Sequence, residues 1–194
     1  SVAKPEQIQR FEEFYEKHWL MIEPPEDETL RLGWLFDRME AAVVRHGADF
    51  IVIDPFTEID LELRSNETER DRINEVLTDF NRFARQYKVH VAVIAHPTKP
   101  SSKNEREAPL GYDVSGAAHW KNKPYLGVTV HKDPDVENFA QIHVWKSKRR
   151  DPMGPTGMFI MRYDENSSTY KAAVRAEYDA LLADSRTGIR GVAK

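Results

Sequence analysis

Phe50-Ile51-Val52-Ile53-Asp54-Pro55 is the stretch on which the fold turns. Four apolar residues, two of them isoleucine, run without a break into one aspartate. A short apolar run of this kind predicts a strand buried on both faces, in a parallel sheet. In such sheets ligands bind beyond the carboxyl ends of the strands, and Asp54 stands at that end. A carboxylate there suits a hydrated Mg²⁺, which prefers a few oxygen ligands and keeps its waters. It equally suits a cap on the following turn.

Upstream, residues 5–18 predict a helix with Ile8, Phe11, Phe14 and Tyr15 on one face. Trp19–Ile22 predicts a short strand, ended by Glu23-Pro24-Pro25. Residues 27–46 predict a second helix with Leu30, Trp34, Leu35, Met39 and Val43 on one face. Asp27 or Thr29 is placed to cap its start, and Gly47 to stop it. Downstream, residues 55–68 read as a polar loop carrying Thr57, Glu58, Asp60 and Glu62. Residues 68–87 read as a third helix, with Ile73, Val76, Leu77, Phe80, Phe83, Ala84 and Tyr87 inward. A second apolar strand, Val89–Ala95, ends at His96-Pro97. Strand, helix, strand, helix, strand predicts a right-handed parallel α/β arrangement.

Residues 97–113 are rich in Pro, Ser, Lys and Glu and read as a mobile loop; 114–120 fit a short helix. Leu126–His131, Ala140–Lys146, Met158–Tyr163 and Thr169–Ala172 read as strands close enough for antiparallel hairpins. Residues 173–183 fit a terminal helix, followed by a frayed 184–194. The organisation expected is a main domain over 1–172 and a helical tail over 173–194.

Composition narrows the function classes. The chain of 194 residues has no cysteine, which excludes disulfides, thiolate nucleophiles and thiolate zinc sites. No apolar run approaches the ~20 residues of a membrane span, so no membrane partner is expected. The net charge of −4 hides an asymmetry: residues 1–94 carry 20 acidic and 12 basic side chains, residues 95–151 carry 7 and 10. That basic excess hints at an anionic partner for the second half, although solvated surface charge explains it equally. The seven histidines (18, 46, 90, 96, 119, 131, 143) show no HxxxH or HExxH spacing. Serine elbows of the G-x-S-x-G kind are absent.

Asp54 and His96 end two buried strands at one edge of the sheet. Asp54 has the layout of a Walker B aspartate. His96 is able to donate to a phosphate and to change its contact when that phosphate leaves; a plain strand cap is the alternative. Ser115-Gly116-Ala117-Ala118 would let backbone approach a phosphate closely, or simply start a helix. Lys146-Ser147-Lys148-Arg149-Arg150 offers packed cations for phosphate or nucleic acid, or a solvated strand edge. No Gly-Lys-Ser/Thr occurs, so the Walker A cradle for the β- and γ-phosphates is missing from this stretch of chain.

In order, FIVIDPFTEID (50–60), VHVAVIAHPTKP (89–100), GYDVSGAAHWKNKPYLGVTVHK (111–132) and VWKSKRR (144–150) resemble one family. It is the RecA-type motor of replicative DNA helicases, the DnaB, Twinkle and phage primase-helicase group, and the resemblance covers about residues 15–172. It implies a partial RecA-like P-loop NTPase core, a parallel sheet flanked by helices with antiparallel strands on its C-terminal side. By that resemblance Asp54 positions Mg²⁺, His96 senses the γ-phosphate of ATP, and Lys146 reaches a neighbouring subunit's nucleotide. The segment from Thr98 through Ser115-Gly116 matches the region facing single-stranded DNA, with Lys99, Lys103 and Lys121 as its basic contributors. Where the family has an arginine finger the chain has Lys148, with Arg149 and Arg150 next, so the finger is open among these three. The same resemblance implies a homo-oligomeric ring, a hexamer, in the cytoplasm of a bacterial or phage-infected cell. It also implies a fragment of a longer motor, inactive alone, with a gap or exposed edge where the Walker A strand would lie. Two other readings stand beside it: a non-catalytic DNA-binding or assembly module, and a recombinase or clock-type RecA relative.

Overall fold

The computed structural model describes residues 4–25, 29–97, 107–114, 116–148 and 154–188. The chain is mixed α/β and divides into two compact units, 1–72 with 78–96, and 73–77 with 97–194.

The first unit opens with α1 (Pro5–His18). Its backbone start is held by a bond from Lys4 N to Gln7 Oε1, 2.9 Å. None of its residues is buried. Phe11 and Phe14, on the expected apolar face, are 64% and 56% exposed. Tyr15 stacks instead between Phe11 and Trp19 along the helix's own surface. The strand expected at Trp19–Ile22 is absent: the run is described without pairing, and all four side chains are exposed. A strand exists only through its ladder, and apolar character alone supplies no partner.

α2 (Leu32–His46) begins later than expected, with Arg31 rather than Asp27 or Thr29 at the N-cap position. The reason lies in Leu30 and Arg31. Leu30 O accepts from Asp60 N at 2.9 Å and Arg31 bridges Asp60, which holds this segment extended. Gly47 ends the helix in the left-handed region, φ 68°, as its lack of Cβ allows. β1 (Phe50–Ile53) pairs in parallel with β2 (His90–Val93), Phe50 against His90 through Ile53 against Val93. Between them runs α3 (Glu69–Tyr87), capped by Thr68 Oγ1, which accepts from Asp71 N at 3.2 Å. Leu35, Met39, Ile53, Phe56, Phe80 and Phe83 are buried.

β1 corrects one expectation. It is buried on one face only: Ile53 is 4% exposed, whereas Phe50 and Val52 are 56% and 46% exposed. Among the described residues the parallel sheet has two strands, and none of those residues covers that face of β1.

The second unit is built on one antiparallel sheet in the order β3-β4-β5-β6: β3 (Leu126–His131), β4 (Phe139–Ser147), β5 (Gly157–Asp164) and β6 (Thr169–Ala173). The expected hairpins are there: β3 has the expected bounds, and the other three strands differ by one residue at one or both ends. The helix expected at 114–120 is α4 (Ala117–Asn122), preceded by Gly116 at φ 77°. The terminal helix α5 (Arg175–Gly188) is longer than expected, so 184–188 are helical rather than frayed. Its Tyr178, 2% exposed, packs with Val136, Phe139 and Ile160 under the sheet. Among the described residues no helix is long and apolar enough to cross a membrane.

Candidate functional site

Two groups of predicted site residues are described, one in each unit. In the first, Ile94 N donates to Ile53 O at 2.9 Å and Ile94 O accepts from Phe56 N at 2.8 Å. These bonds carry the β1–β2 ladder past the last paired residues, so Asp54 and His96 both leave the sheet at its carboxyl edge. Asp54 and His96 are exposed. The following segment is set by two anchors: Phe56 is buried within a 3₁₀ turn (Phe56–Glu58), and Ile59 is buried beside it. Polar neighbours close the loop behind them. Asp60 Oδ1 accepts from Glu62 N at 2.9 Å, and Leu61 O accepts from Arg72 Nε at 2.7 Å. Asp54 is an exposed carboxylate at the end of a paired strand, an arrangement a cation with waters can use.

In the second unit the lysines of the VWKSKRR stretch turn onto α4. A helix leaves its last carbonyls without intrahelical partners, and cations suit that end. Lys146 Nζ donates to Lys121 O and, at 2.7 Å, to Asn122 O. Lys148 Nζ donates to Lys123 O at 3.2 Å and lies 4.7 Å from the Tyr125 ring centre. Lys146 uses two of its three ammonium donors in this way. Burial holds its pKa below the ordinary lysine value, with the charges of Lys148 and Lys121 acting in the same direction. Three ammonium groups are therefore gathered at one end of a short helix, a place that favours an anion.

Sequence reasoning named the lysines and Gly116 but missed the residues that place them. Trp145 lies between them in the chain. β3 and β4 shift register there, Gly127 facing Lys146 and Val128 facing Val144, so Trp145 is an extra residue on β4. Such a bulge re-aims a side chain. The alternating pattern gives no warning of it; Gly127, buried inside an apolar strand, is the signal that could have. Gly116 approaches Ile73 so closely that a Cβ would stand 3.0 Å from its Cδ1. Arg149, Arg150, Lys99, Lys103 and Ser115 lie outside the described residues.

Residues 15–102 match the family described as an AAA domain. The chain is 33% identical, over 148 residues, to a Twinkle homolog protein, chloroplastic/mitochondrial, of Arabidopsis thaliana. That match covers 74% of this chain and 21% of the relative, so the chain spans about a fifth of the curated protein it matches. The fold agrees with that of a solved ATPase domain, with a TM-score of 0.60 over 73% of this chain and 51% of that one, at 12% identity. Together these matches support a RecA-type motor domain of the replicative-helicase kind. A DnaB-like replicative helicase, solved with a view to its interactions with primase, matches with a TM-score of 0.58, again over 73% of this chain, and over 36% of its own, at 11% identity. For a RecA-type motor domain the parallel β1–β2 pair and the antiparallel sheet are the two parts expected, and both are present.

Proposed function

We propose that this chain supplies part of an ATP-driven replicative DNA helicase motor, in which MgATP hydrolysis moves a homo-oligomeric ring along single-stranded DNA. The observation that supports it best is the pair of groups at one sheet edge: Asp54 directly after β1 and His96 after β2, on strands held in parallel register. Asp54 would be the protein's contribution to holding Mg²⁺, a cation that takes few carboxylates and keeps its waters. The ion, when bound, neutralises charge developing on the phosphates. His96 donates a hydrogen bond toward the terminal phosphate and loses that contact when the phosphate departs. Lys146, with Lys148, Arg149 or Arg150 as the finger, faces the nucleotide of an adjacent subunit in a hexameric ring. Lys99, Lys103, Ser115, Gly116 and Lys121 belong to the surface that meets DNA.

The test is ATP hydrolysis by the full-length natural protein, with and without a thymidine oligonucleotide. Asp54→Ala is expected to abolish both rates. His96→Ala is expected to keep a basal rate and lose the DNA stimulation. Hydrolysis unchanged by Asp54→Ala would remove the nucleotide from this sheet edge.

A further inference from the structure

We propose that Trp145 is a positioning residue that ties the Leu110–Asp113 turn to the Lys146 ammonium, with Lys121 as the link between them. The turn is closed by Asp113 N to Leu110 O at 2.8 Å and by Leu110 N to Asp113 Oδ2 at 2.7 Å. The outer atoms of the Trp145 ring press against two glycines from different segments. A Cβ on Gly127 of β3 would stand 2.3 Å from the ring, and one on Gly111 of the turn 2.7 Å from it. No other side chain fits at either place without moving the indole. Its Nε1 donates to Thr129 Oγ1 at 3.1 Å, which fixes the ring's rotation on the sheet.

Lys121 completes the connection. Its ammonium lies 4.8 Å from the Trp145 ring centre and 5.6 Å from that of Tyr112, so it spans from the sheet to the turn. Cations over aromatic faces are attracted by the ring quadrupole. The same ammonium donates to Trp145 O at 3.4 Å. Its backbone carbonyl accepts from Lys146 Nζ. One residue therefore touches the turn through its side chain and Lys146 through its main chain. A displacement of the turn moves Tyr112 and Gly111 against a ring that has no slack, and the ring moves Lys121. Coupling of this kind is carried by packed side chains and hydrogen bonds with few alternative arrangements. Its use to a motor rests on the function proposed above, in which the segment ahead of Gly116 meets DNA and Lys146 meets a nucleotide.

The experiment reads the hydrogen-exchange rate of the Lys146 ammonium by heteronuclear NMR, with the exposed Lys88 as internal reference and thermal melting as a check on folding. Without DNA, Trp145→Ala and Gly127→Ala are expected to speed Lys146 exchange about fivefold or more, the low end of site-to-site coupling, with Lys88 unchanged. Unchanged exchange at Lys146 would overturn the proposal. Lys121→Met keeps the carbonyl that accepts from Lys146 and removes a charge that acts on Lys146, so each protein's oligonucleotide response is read against its own resting exchange rate. With a thymidine oligonucleotide added to saturation of each protein, checked by its own binding titration because Lys121 belongs to the proposed DNA surface, wild type should show a shifted Lys146 exchange rate and Lys121→Met should show none. The same shift in Lys121→Met would overturn the link. An oligonucleotide that fails to bind wild type would refute the DNA reading, and the link would then stand or fall on the DNA-free comparison.

Discussion

At the residue scale, the arguments turn on space and on charge. Gly127 has room for hydrogen and nothing more, because Trp145 covers it. Gly127→Ala is expected to destabilise the second unit by about 1–3 kcal/mol, the usual range for overpacking, read from the denaturant midpoint at unchanged slope. An unshifted midpoint would mean the indole has another place to go. His143 makes a charge argument. Gln141 Oε1 can only accept, so the 2.7 Å contact assigns a proton to His143 Nε2. Gln141 Nε2 in turn donates to Tyr178 OH at 2.6 Å, which joins the sheet to α5. Burial holds the His143 pKa below the ordinary value, and His131 pushes it the same way. Between the lowered value and about 6.5 the unfolded chain binds more protons than the folded one. Stability therefore falls as pH drops through about 6.5 and levels off below the folded pKa. His143→Gln is expected to lessen the loss of stability between pH 8 and pH 5; an equal loss would assign it to other groups. The carboxyl of Asp164 acts in the same direction in a lower pH window. A hydrogen bond from Lys171 leads in pulling its pKa down to about 2. Its contribution is present above the ordinary carboxylate value and is lost only as pH falls toward 2.

At the element scale, the helices and hairpins were legible in sequence because their periodicity is strong. Residues 68–87 show it best: Ile73, Val76, Leu77, Phe80 and Phe83 recur at helical spacing and all are buried. Thr68 is the cap such a start requires, accepting from Asp71 N and donating to Asp71 Oδ2 at 2.6 Å. Thr68→Ala is expected to cost about 1 kcal/mol, and Phe80→Ala about 3–5 kcal/mol, both by equilibrium unfolding. The elements that misled were those whose state depends on a partner. Trp19–Ile22 has strand composition but no ladder, and Phe50 and Val52 have core composition but no cover among the described residues. Local pattern reports what a segment would bury, not whether a neighbour is there to receive it. The candidate site divides in the same way. Asp54 and His96 could be read because each ends an apolar run. Trp145 was not read, because the bulge is a property of the β3–β4 pair and only Gly127 hints at it in sequence.

At the scale of the whole molecule, the two units carry different halves of the chemistry: a strand-end carboxylate and histidine in one, an aromatic-lined lysine group in the other. The charge asymmetry seen in the sequence matches this division, since the basic excess of residues 95–151 includes the lysines on α4 and β4. The chain is similar to RecA-type helicase motors and spans 21% of its curated relative, so the full-length protein is the one to assay. The most direct measurement is ATP-dependent unwinding of a forked DNA duplex by the full-length natural protein and its Asp54→Ala variant. Strand separation that needs hydrolysable ATP and disappears in Asp54→Ala is the predicted result. Unwinding by Asp54→Ala at the wild-type rate would contradict the account.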